Sequence, residues 1–230
     1  ANDTVFHNVI SSPGGRTRFY NSCTIENALS HTSGTALQLD GSRNITLTMG
    51  TATSAGSIDI TAGEFFRIYP NATTNTIAAA NSLFPCVVTG ADWSWSDGAG
   101  TINLSGLDFQ MDIVTGTNGS DNGTITLTGD CEFDAVTVSS GDTLDLNGQR
   151  MTTSGQLSGS GTFTGTNGLL SVADLRCDGF SSFDLQNTDI MFNASCSPRM
   201  NGSPSNKAKT MFVQAGDVAV WLEQQLQLIT

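Results

Sequence analysis

The chain has 230 residues, a net charge of −12 and only 13% charged residues, about half the usual share. Its two lysines and seven arginines form no basic patch, so neither a nucleic-acid backbone nor an anionic membrane is an expected partner. No apolar run reaches the length of a membrane span, and 30 Thr, 25 Ser and 17 Asn carry the solvation that charge usually provides.

Residues 1–35 read as an irregular N-terminal arm or cap. They hold a PGG turn at Pro13–Gly15 and a short TIENAL stretch at 24–29 with helical character. Phe6, Val9 and Ile10 are apolar residues of this arm and are candidate assembly contacts. The start shows no basic stretch followed by an apolar one, so no signal peptide is seen. Ala1 fits removal of an initiator Met from a protein made in the cytoplasm, although a trimmed leader would leave the same start.

Residues 36–195 carry one repeated phrase, an alternating apolar/polar run that ends in Gly or Asn. It reads LQLDG at 37–41, ITLTMG at 45–50, IDITAG at 58–63, FRIYPN at 66–71 and INLSG at 102–106. It returns as ITLTG at 125–129, VTVSSG at 136–141, LDLNG at 144–148 and FDLQN at 183–187. Period-2 alternation predicts strands with one dry and one wet face. The terminal Gly or Asn tolerates φ > 0 and lets the chain bend after every few residues. The turns are unevenly spaced, so a strict hexapeptide repeat is excluded. The expected fold is all-β, a short right-handed parallel β-helix with an N-terminal arm and a C-terminal cap. A β-sandwich or jelly roll is the alternative. Four to six coils stacked at about 4.8 Å would give a rod of roughly 20–30 Å.

A break at 72–100 interrupts the phrase and contains ADWSWSDG; it could separate two sub-bodies or be a loop thrown out from one coil. Trp93 and Trp95, at i and i+2, share one face of an extended segment, with Asp92 and Asp97 beside them. Three readings stand: buried packing, a protein interface, or a glycan platform. Glu132 and Asp134 are also i and i+2, about 6–7 Å apart along a strand. They read as a solvated strand face, or as the acid and base of a glycoside-cleaving site. GSDNGT at 119–124 reads as a turn. His7 and His31 are isolated in sequence, and a Ser or Cys nucleophile has no evident His partner in the strand body. The five cysteines lack CxxC spacing and read as buried apolar residues. No catalytic residue, cofactor site or metal site is expected.

Residues 196–230 comprise the loop CSPRMNGSPSNKAKT and a terminal capping or assembly element. Asp217 could cap a helix that presents Val218, Trp221, Leu222, Leu226 and Ile229, while VAVWL also alternates as a strand. Trp221, Leu222 and Leu226 are the candidate contacts of this end.

The stretch GDTLDLNGQRMTTSGQLSGSGTFTGTNG at 141–168 resembles the β-solenoid passages of tailed-phage virion proteins. The resemblance implies a rigid, protease-resistant body in a trimeric or otherwise multivalent assembly. It implies a non-enzymatic virion protein, a capsid decoration or cement protein held by contacts to the major capsid protein or other virion proteins. A receptor-binding fibre, spike or adhesin that binds glycans is the second expectation, and a β-helix polysaccharide lyase or hydrolase the third.

Overall fold

The computed structural model describes residues 4–11, 16–32, 36–68, 70–95, 100–116, 122–195, 199–200, 208–213 and 221–222. Over them the chain winds as a parallel β-solenoid of about eight turns, with no α-helix among the described residues. Every pairing between its strands is parallel. That excludes the sandwich and the jelly roll, whose sheets are antiparallel.

Each turn has three faces. Thr143–Asp145 lies on the first face, the start of Arg150–Gly159 on the second and its end on the third. The chain then returns to the first face as Thr162–Thr166, in register with Thr143–Asp145. Parallel sheets usually bury both sides and read as continuous apolar runs. Here each strand has one side inside the coil and the other in water, so alternation survives in a parallel sheet.

The inward residues stack into columns. On the second face Cys86, Leu107, Cys131, Met151, Leu170 and Ile190 lie one above another. Beside them run Val88, Phe109, Phe133, Thr153, Val172 and Phe192, all buried. The Phe109 and Phe133 rings stack with centroids 4.9 Å apart and planes 4° apart. Phe163 and Phe183 repeat this on the first face at 5.3 Å. The interior is thus a packed core with no channel through these turns. Outside the first face, Thr74, Thr101, Thr124, Thr143, Thr162 and Ser182 form a hydroxyl column.

Corners demand special backbone. Asn147, Asn167 and Asn187 take positive φ of 47°, 59° and 55°, a region that asparagine tolerates better than most residues. Gly90, with φ of 131°, lies so close to the turn below that a side chain would collide with the carbonyl oxygen of Ile60.

Several expectations are corrected. Residues 4–31 are no irregular arm: Thr4–Ser11, Arg16–Phe19 and Cys23–His31 form the first turns and pair in register with the body. TIENAL is strand, because Ile25 and Leu29 point into the core while the residues between them face outward or bulge. The break at 72–100 holds Thr74–Ala79 and Cys86–Trp95, which continue the stack. The stack is also longer than the four to six coils expected.

The early turns are larger than the later ones. Ser57 pairs with Val87, thirty residues on, whereas Thr143 pairs with Thr162, nineteen residues on. The extra residues leave the coil as loops at 50–56 and 80–85. At the far end Arg199–Met200 pairs with Trp221–Leu222 in a separate two-stranded sheet. Trp221 and Leu222 therefore belong to a strand, not a helix. Asp217, Val218, Leu226 and Ile229 lie outside the described residues, as do Pro13–Gly15, Asp97, 119–121 and Cys196.

Candidate functional site

Glu132 and Asp134 lie where the second face turns outward, and both are engaged locally. Arg150 Nη2 sits 3.7 Å from Glu132 Oε1, and its Nε sits 3.8 Å from Asp130 Oδ2. Ser154 Oγ donates to Asp134 Oδ1 at 2.8 Å. Each partner comes from the next turn, so the contacts clip adjacent coils together across a solvated surface.

Trp93 and Trp95 fall in the third-face part of Cys86–Trp95. Trp93 is in register with Phe66 and Leu37, and Trp95 with Ile68, Leu39 and Thr115. Leu37, Leu39, Ile68 and Thr115 are buried. Both tryptophans therefore hold backbone positions in the third-face ladder.

The first two turns bring together a serine and a histidine, which the sequence reading missed. Ser11 Oγ lies 3.0 Å from His31 Nδ1 and donates to Thr17 Oγ1 at 2.7 Å. Which of the two donates depends on the imidazole tautomer. Both side chains are buried, and twenty residues of separation hid them from sequence reading.

Buried thiols are unsuited to nucleophilic work. Desolvation pushes the Cys86 and Cys131 thiols up to about 12, with nearby acidic side chains adding to it. Burial raises Cys177 as well. No group of three His, Cys, Asp or Glu side chains able to hold a metal occurs among the described residues.

What the surface does offer is apolar. Val5, Phe6, Ile10 and Tyr20 are exposed on the first turn, Ile10 by 74%. Val9 is half-buried against the core. Beside them is an open cleft of about 260 Å³, lined by Thr4, Phe6, Arg18, Phe19, Tyr20, Asn21, Ser22 and Cys23. Arg18 crosses one wall, 5.8 Å from the Tyr20 ring centroid and 3.8 Å from Asp40.

A second apolar feature escaped the sequence reading. Leu83 is 80% exposed and Phe84 38% exposed, at the tip of loop 80–85. Asn81 Oδ1 accepts the Leu83 amide at 2.9 Å, and the Asn81 carbonyl accepts the Phe84 amide at 3.0 Å. Asn81 Nδ2 donates to Ala52 O in the loop of the previous turn, at 2.7 Å. That loop is itself closed by Thr51 and Ser54, whose hydroxyls lie 2.6 Å apart. The tip is a braced projection. Its signal in the sequence is the Asn-Ser-Leu-Phe-Pro run, apolar residues placed just after an Asx-turn residue.

Compared with known proteins, the chain has no match among protein-family models, curated proteins or solved structures.

Proposed function

We propose that the chain is a non-enzymatic structural protein, a rigid module of a larger protein assembly. Its specific form in this reading is a capsid decoration or cement protein of a virion, bound to the major capsid protein or other virion proteins and assembling as a homo-trimer. One observation carries the reading. The interior is filled along the stack, while among the described residues the exposed large apolar side chains, Val114 apart, gather in the first four turns. A solid body with exposed apolar residues clustered on its early turns suits docking better than turnover. The engagement of Glu132 by Arg150 and of Asp134 by Ser154 lends no support to the lyase reading.

The test is quantitative mass spectrometry of gradient-purified virions from a culture that makes this protein. The expected result is many copies per particle that remain after a salt wash. Absence from purified particles overturns the virion form. Polysaccharide cleavage that disappears in the Glu132→Gln/Asp134→Asn variant overturns the non-enzymatic reading.

A further inference from the structure

We infer that a second copy of this chain is a partner, and that the Leu83–Phe84 tip of one copy seats in the Phe6–Tyr20 cleft of the next. This rests on the assembly reading above and names one of its contacts.

Three observations converge. The tip is exposed yet held by hydrogen bonds from Asn81, so it can enter a partner at little cost in loop ordering. The cleft, about 260 Å³ and open on one side, falls below the 300–1,000 Å³ typical of small-molecule sites. It suits one or two protruding side chains, and Phe6, Phe19 and Tyr20 give it an apolar lining.

Charge adds the third observation. Residues 1–91 hold five acidic and four basic residues, whereas 92–198 hold fourteen acidic and two basic. Two copies of a chain at −12 repel through their later turns. Tip and cleft both lie in the nearly neutral part, where two copies meet little repulsion. Because they are different surfaces, the contact is heterologous, and its repetition builds a ring or an open row.

Sedimentation of the full chain over a concentration series tests this. The expected result is reversible self-association, weakened at least about tenfold by Leu83→Asp and by Tyr20→Asp, the scale of one anchor residue. Val114→Asp, at an exposed apolar position away from both surfaces, leaves it unchanged. Mixed Leu83→Cys and Asn21→Cys single variants, both in a Cys23→Val background because Cys23 also lines the cleft, cross-link between copies, and neither does so alone. This holds as a test even if the Asp variants misfold. A monomer at every concentration, or a cross-link formed equally by Leu83→Cys alone, overturns the inference. A monomer still found in purified particles overturns this contact and leaves the assembly reading intact.

Discussion

Asn187 Nδ2 donates to Asn167 Oδ1 from one turn above, and both residues hold left-handed backbone at the same corner. Asn147 occupies the corner below and donates to Leu127 O at 3.1 Å. Side chain and backbone conformation thus act together at each of these bends. Asn167→Ala loses the hydrogen bond and strains the backbone, an expected cost of about 1–3 kcal/mol. Asn167→Gly keeps the backbone relaxed and costs less. Urea denaturation of the two variants checks the order, and equal losses would show that the corner conformation carries no energy.

The stacked Phe109–Phe133 pair makes a sharper prediction. Phe133 is buried between Phe109 and Thr153 of the adjoining turns. Phe133→Ala is expected to cost about 3–5 kcal/mol, because rigid strands on both sides cannot close the cavity. Phe133→Leu should cost well under half of that. Denaturation midpoints at constant m-value provide the measurement.

The buried thiols tie stability to alkaline pH. Cys86 and Cys131 ordinarily titrate near 9.0 but are held at about 12 by desolvation. The folded state therefore keeps protons that the unfolded state releases, so stability falls as pH rises above the ordinary value. Denaturation midpoints across that range should decline, and less steeply in Cys86→Val/Cys131→Val. Iodoacetamide should label these two thiols only in denaturant.

Asp40 contributes on the acid side. Ser42 donates to its Oδ1 through the hydroxyl at 2.5 Å and the amide at 2.8 Å, and these bonds hold the carboxyl below its ordinary 3.8. The Arg18 and Arg43 charges act in the same direction, while burial opposes it. The contribution is fully present above the ordinary value and is lost as pH falls through the lower, folded value. Asp40→Asn should therefore be less stable than the parent at neutral pH and converge with it in acid. A constant gap across that range in thermal unfolding would refute the assignment.

Alternation made the strand body legible, because a face that meets water writes a period of two into every turn. Phrases such as ITLTG and LDLNG marked real strands with buried Ile125, Leu127, Leu144 and Leu146. The first turns were harder to see. In Thr4–Ser11 most side chains are exposed, so the apolar signal is diluted. TIENAL misled because its register shifts between Ile25 and Ala28, which breaks the alternation in the middle of a strand. Loops 50–56 and 80–85 likewise broke the spacing and suggested an interruption where the stack in fact continues. The surface features rest on partners in neighbouring turns, as in Arg150 with Glu132 or Asn81 with Ala52, and such pairs leave no local mark in sequence.

The nineteen-residue step between Thr143 and Thr162 also bears on how such a chain could grow or shrink. Excising 143–161 would set Thr162 on Thr124 and Leu170 on Cys131, so like would still sit on like. Excising half that length would turn apolar residues toward water. Rod length is then a quantity that can change in whole windings while cross-section and register stay fixed. Such a body can act as a ruler, holding whatever is attached at its two ends at a distance counted in turns.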